Sequence, residues 1–224
     1  MNRVKIAGII VAMIVITAVN GQGQFMGGRR GPSAPQILGT FNPVVGSGAQ
    51  YQMTTKDHPM EFAYVIVGKE DVEGSAGYWM EIRTLGADPR GEMVMKQLMV
   101  LGGEKPQIKR MIMQSAGRPP MEMPMGMMHM QQRAGAGRQG DSDPGVKVGS
   151  ETIIVPAGTF DCDHYRKQTK SGTVDFWIST QVSPYGMVKM TTGEMTMVLE
   201  KVLSNETSHI KGEPRKMTFG MPQS

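Results

Sequence analysis

Glu92-Met-Val-Met-Lys-Gln-Leu-Met-Val100 is followed by Gly102-Gly-Glu-Lys-Pro106 and then by Ile108-Lys-Arg-Met-Ile-Met-Gln114. Two apolar-rich runs flank a turn signal. Within them methionines recur at even spacing, as Met93, Met95 and Met99 in the first and Met111 and Met113 in the second. Residues at i and i+2 share one face of a strand, so the stretch predicts a hairpin with a methionine-bearing face. The same alternation predicts strands at Tyr51–Thr55, Glu61–Val67, Tyr78–Thr84 and Glu151–Val155. It continues at Phe160–Gln168, Thr173–Ser179, Gly186–Thr191 and Met195–Leu203. Turn signals such as Glu73-Gly-Ser-Ala-Gly77, Lys170-Ser-Gly-Thr173 and Thr192-Gly-Glu194 separate these runs. Beyond the N-terminus no 3.6-residue apolar period is sustained, although a short helix before Tyr51 fits the pattern. The expected fold is all-β, a curled antiparallel meander or incomplete β-barrel.

Working outward, the chain opens with Arg3 and Lys5, an apolar run from Ile6 to Val19, and small or polar residues at Asn20-Gly21-Gln22-Gly23. The apolar run falls short of the ~20 residues of a spanning helix, so residues 1–23 read as a cleavable export signal, with an uncleaved anchor as the second reading. No cysteine ends the apolar run, which argues against acylation there. Residues 24–48, rich in Gly, Pro and Gln, read as a flexible linker. Residues 49–204 then form one β domain, interrupted by a long loop at 117–145 and followed by a polar tail at 205–224. Cys162 is the only cysteine, so no internal disulfide staples this chain. The net charge of +4 includes Arg3 and Lys5, and no basic run is interleaved with aromatics. Nucleic-acid binding therefore has no support.

Two populations stand out among the 23 methionines. One lies on strands at two-residue spacing: Met93, Met95 and Met99; Met111 and Met113; Met195 and Met197; with Tyr78, Met80 and Ile82 patterned alike. If these faces converge, they form either an ordinary core or a deformable apolar cavity suited to acyl chains. Tyr78, Met80, Met93, Met95, Met111, Met113, Met195 and Met197 are the candidate lining. The other population is the run Met121-Glu-Met-Pro-Met-Gly-Met-Met-His-Met130. Soft thioethers select copper(I), and histidine is a compatible ligand. Met121, Met123, Met125, Met127, Met128, His129 and Met130 are thus an alternative copper site, and an apolar lid over the sheet is the competing reading.

Other constellations carry less. Phe160, Cys162 and His164 share one strand parity, and Asp161, Asp163 and Tyr165 the other, so Cys162 reads as a small buried hydrophobe. A Cys–His nucleophile would also need an orienting third group, which the sequence does not supply. His58 and His209 read as exposed, Glu70, Asp71 and Glu73 as solvated turn charges, and Asn205-Glu-Thr207 as an incidental glycosylation triplet. No phosphate-binding glycine loop, His-Glu-x-x-His or Gly-x-Ser-x-Gly motif occurs. Nothing argues for an enzyme.

Two stretches carry a resemblance. Gly68-Lys-Glu-Asp-Val-Glu-Gly74 with Tyr78-Trp-Met-Glu81 is one. Gly149-Ser-Glu-Thr-Ile-Ile-Val-Pro-Ala-Gly-Thr-Phe160 is the other, continuing through His164-Tyr165, Asp175-Phe-Trp177 and Ser183-Pro-Tyr-Gly-Met-Val-Lys-Met190. Together they resemble exported bacterial proteins similar to the periplasmic lipoprotein carriers LolA and LolB. The resemblance spans roughly residues 50–203. It implies an incomplete antiparallel barrel that holds acyl chains in its concave face. Trp177 and Tyr185 would be large anchors of the core. The function expected is non-enzymatic binding of a lipid or acyl chain, with copper(I) binding or an envelope interaction module, meeting a protein partner, as alternatives.

Overall fold

The computed structural model describes residues 41–55, 59–85, 92–101, 107–124, 126, 145–169 and 172–216. The expected export signal, most of the expected linker, His58, and Met125, Met127, Met128, His129 and Met130 lie outside the described residues.

Alternating sequence becomes strand wherever the alternation was legible. The strands are β1 Gly48–Thr55, β2 Pro59–Val72, β3 Ser75–Leu85, β4 Met93–Leu101, β5 Gln107–Ser115 and β6 Met121–Glu122. They continue as β7 Val146–Val155, β8 Gly158–Thr169, β9 Gly172–Ile178, β10 Met187–Thr191, β11 Met195–Leu203 and β12 Arg215–Lys216. All belong to one sheet ordered β12-β6-β5-β4-β3-β2-β1-β11-β10-β9-β8-β7. Neighbours are antiparallel except β12 and β6, which are parallel. The order runs from β12 to β7 without closing, so the sheet is all-β and curled but not a closed barrel. No helix precedes Tyr51 among residues 41–50, where a turn leads straight into β1. The apolar residues there serve the sheet instead: Phe41 is buried and Gly48 opens β1.

Bulges produce the curl. Register shifts occur between β1 and β11 at Gln50/Tyr51, between β2 and β3 at Ile66/Gly68, and between β4 and β5 at Leu98/Met99. Each extra residue bends its strand and increases the local twist. The tip of the β7–β8 hairpin reaches β11, where the Ala157 amide donates to the Leu199 carbonyl at 3.3 Å. Gly158 at φ +135° turns that tip, a conformation L side chains rarely adopt.

The concave face holds the main core, with Tyr51, Phe62, Tyr64, Tyr185, Met187, Met197 and Leu199 at its centre. Tyr185 comes from the loop between β9 and β10, which folds back into the curl. Its ring lies 6.1 Å from Tyr64 and 5.3 Å from Phe41. Asn42 clamps this loop by donating its amide to the Pro184 carbonyl, while the Ser183 hydroxyl donates to the Asn42 carbonyl. Gly186 closes it at φ +74°, where a Cβ would meet the Ser179 carbonyl oxygen at 2.8 Å. A stretch expected to be linker and a turn thus jointly fill the interior.

The convex face carries a smaller cluster of Trp79, Leu98, Val100 and Ile112. Residues 206–216 of the expected polar tail lie across it. Ile210 packs on the cluster, and Arg215 and Lys216 extend the sheet edge beside β6. Glu81, fully buried, accepts bonds from the Ser208 hydroxyl at 2.8 Å and the His209 amide at 2.9 Å. Arg83 pairs with Glu206 at 2.9 Å and contacts the His209 ring. His209 is therefore half-buried rather than exposed. Glu70, expected to be merely solvated, accepts the Trp79 indole N–H at 2.8 Å.

Candidate functional site

The methionine positions of the opening hairpin take fixed places on the concave face of β3, β4, β5 and β6. Strand register sets them in two rows. Met80 lies opposite Gln97 and Gln97 opposite Met111; Ile82 lies opposite Met95, Met95 opposite Met113 and Met113 opposite Met121. The Met123 amide donates to the Met111 carbonyl at 2.9 Å, so the first row continues to Met123. Directly opposed side chains on a face are within about 4.5–5.5 Å at Cβ.

Part of the methionine run is therefore strand, not loop. Met121 and Met123 stand beside the strand methionines, and Met111, Met123, Met95, Met113 and Ile108 pack into one cluster. Arg110 holds this short edge in place from the opposite face, with a two-pronged bond to Glu122 at 2.7 and 3.2 Å. That bond draws the Glu122 carboxyl below its usual range.

Gln97 sits at the centre of this array. Its same-face neighbours along β4 are Met95 and Met99, and across the sheet Met80 and Met111. The side chain is 1 % exposed, and neither its amide nitrogen nor its oxygen has a hydrogen-bond partner. An unpaired amide among four thioethers is costly, on the order of 1–3 kcal/mol per unsatisfied group. The two-residue strand period places Gln97 on this face, where methionine dominates its surroundings.

The remaining predicted lining is distributed. Met80 and Met197 are fully buried, with Tyr78, Met95 and Met195 packed partly buried against the main core. Met93 is exposed at the start of β4. The Tyr185 hydroxyl donates to the Met80 sulfur at 3.2 Å, so the β9–β10 loop occupies the centre of the concavity. Burial holds the Tyr51, Tyr64 and Tyr185 phenols well above their usual range, which keeps them neutral.

On the other half of the sheet Cys162 is buried, as its neighbours implied, and Phe160 joins it in the core. Burial first, then the charges of Asp161, Asp163 and Glu151, push its thiol up to about 11. Thiolate chemistry at neutral pH has no foothold there. His164 instead stacks on Trp177 with ring centroids 4.4 Å apart. Its Nε2 lies 2.7 Å from Asp175 and its Nδ1 3.1 Å from Glu151, which also accepts the Trp177 indole N–H at 2.7 Å. Trp177 is thus half-buried in a polar network, while Tyr185 is the true core anchor. A groove of about 400 Å³ lies nearby, lined by Ser150, Thr152, Asp161, Asp163, Ser179 and Thr180 among others. Its carboxylates are occupied: Thr152 donates to Asp161, and Ser150 donates to Asp163, both at 2.8 Å. Among the described residues no group of three or more His, Cys, Asp or Glu could hold a metal ion.

Asp175 gives a test of this network. Burial works against its charge, but bonds from His164 and Arg166 outweigh it, holding the carboxyl below the usual range. A folded value below the unfolded one (~3.9) means that the contribution to stability is complete above about pH 4. It is lost as pH falls through the folded value. Carboxyl NMR should find Asp175 titrating below ~3.9, and Asp175→Asn should flatten the acid arm of the stability curve. Titration of Asp175 at or above the unfolded value would refute the assignment.

No family model matches the chain, and no curated protein sequence does. Among solved structures, the chain overlaps a candidate lipoprotein of Parabacteroides distasonis at TM-score 0.37 and 11 % identity, over 72 % of this chain and 97 % of that one. It overlaps a candidate exported protein with a YmcC-like fold from Bacteroides fragilis at TM-score 0.34 and 14 % identity, again over 72 % and 97 %. Overlap at these scores defines neither a family nor an activity, and it does not establish the carrier type that the sequence resembles.

Proposed function

We propose that this chain is an exported, non-enzymatic protein that binds a hydrophobic ligand, a lipid or acyl chain, on the methionine-rich concave face of β3, β4 and β5. The observation that supports this reading is Gln97, fully buried among Met80, Met95, Met99 and Met111 with both ends of its amide unpaired. Unbranched thioether side chains reshape readily around a flexible apolar guest. The ligand head group would then meet the amide, accepting from its NH2 and donating to its oxygen, as a neutral carboxylic acid or a carboxamide does. Export is supported by the pattern of residues 1–23.

Native mass spectrometry of protein purified from its own host should reveal an aliphatic adduct, and the stripped protein should take up a fluorescent fatty acid. Gln97→Leu separates the reading from a purely structural one. Removing a buried unpaired amide should raise the midpoint of unfolding of the ligand-free protein, while fatty-acid affinity falls about tenfold or more, equal to about 1.4 kcal/mol. No adduct and no uptake by the wild type would sink the reading, as would a Gln97→Leu variant that binds unchanged.

A further inference from the structure

Sequence divides the methionines into a strand set and a loop run, yet the sheet brings members of both onto one patch. Met113 faces Met95 on one side and Met121 on the other. Met111 is linked to Met123 through the backbone bond that continues the same ladder. Met111 and Met123 are buried, whereas Met95, Met113 and Met121 are only half-buried, so the patch runs from the interior toward solvent. The two rows, from Met80 through Gln97 and Met111 to Met123 and from Ile82 through Met95 and Met113 to Met121, contain no carboxylate and no imidazole.

We propose that Met95, Met111, Met113, Met121 and Met123 form a binding site for a soft monovalent cation, copper(I) or silver(I). Neutral sulfur donors suit a soft ion of low charge and serve hard divalent ions poorly, since these need carboxylate, carbonyl or water oxygens. Two strand pairings fix the Cβ positions, and the three rotatable bonds of each methionine let neighbouring sulfurs turn onto one ion. Half-buried Met113 and Met121 provide the entry, while Met111 and Met123 provide dry donors beneath. The site differs from one built by the whole run Met121–Met130, because three of its five ligands come from β4 and β5. It shares Met95 and Met111 with the proposed hydrophobic surface, but silver(I) titration reads it without any apolar ligand, so the two readings can fail separately.

Silver(I) titration of the full-length chain against a competing thioether chelator tests this without redox chemistry. A Cys162→Ala background removes the only thiol. One-to-one binding is expected, weakened at least tenfold in the double variant Met111→Leu, Met123→Leu. Met-to-Leu exchange nearly conserves volume, so the fold should tolerate it; Met113→Leu alone at the half-buried position is the second variant should the double one fail to fold. Leucine at Met125, Met127, Met128 and Met130 together should leave affinity within twofold. Absence of binding by the parent chain would overturn the proposal. So would loss of affinity in the Met125–Met130 variant with none at Met111 and Met123.

Discussion

Tyr185→Ala is expected to lower stability by about 3–5 kcal/mol, the range for deleting a buried aromatic side chain. The ring is fully buried and touches Phe41 and Tyr64, while its hydroxyl donates to the Met80 sulfur. It is also the point at which the β9–β10 loop fills the curl, so its loss leaves a cavity that the sheet cannot collapse to fill. Urea unfolding should show a lower midpoint at unchanged slope, the signature of lost stability rather than altered compactness. Tyr185→Phe keeps the ring and loses only the bond to sulfur, with a cost of about 1 kcal/mol or less. A loss below about 1 kcal/mol for the alanine variant would mean that the plug contributes little, against the range expected for such a deletion.

Removal of residues 205–224 should have a comparable effect through the opposite face. That segment holds Glu206 against Arg83, and Ser208 and His209 against Glu81, with Ile210 on the Trp79 cluster. Without it two buried charges lose their partners, and breaking such a pair costs about 3–5 kcal/mol. Trp79, Leu98, Val100 and Ile112 would also meet water and form an apolar patch that invites self-association. Trp79 fluorescence should shift to the red, the urea midpoint should fall, and light scattering should report oligomers. Glu81→Ala narrows the test to the carboxylate that accepts the strap, with an expected loss of about 1–3 kcal/mol. A strapless chain as stable as the parent would show that the convex contacts are incidental.

Both predictions rest on contacts that no local pattern announces. The strands were legible because pleating has a period of two, and residues such as Met95, Met111 and Met197 repeat at that period. Turn residues such as Gly74 and Gly158 marked where the strands end. Tyr185 was expected as a core anchor, but that it fills the concavity was not legible, because it reaches Met80 and Phe41 across more than a hundred residues of sequence. Nor did composition separate tail from strap: Ser208 and His209 look solvated until a buried Glu81 is placed opposite them. Met121 and Met123 looked like loop for the same reason. A two-residue strand has too little sequence to show a period, and β6 exists because Arg110 and the edge of β5 hold it.

The sequence by itself determined an all-β chain, several of whose strands carry a methionine face, since alternation is a local property of the extended backbone. Tertiary structure alone decided which of those faces meet, what fills the space between them, and that Gln97 lies unpaired among four methionines. Register depends on bulges and on partners far along the chain, and a shift of one residue would turn every one of those side chains to the other face.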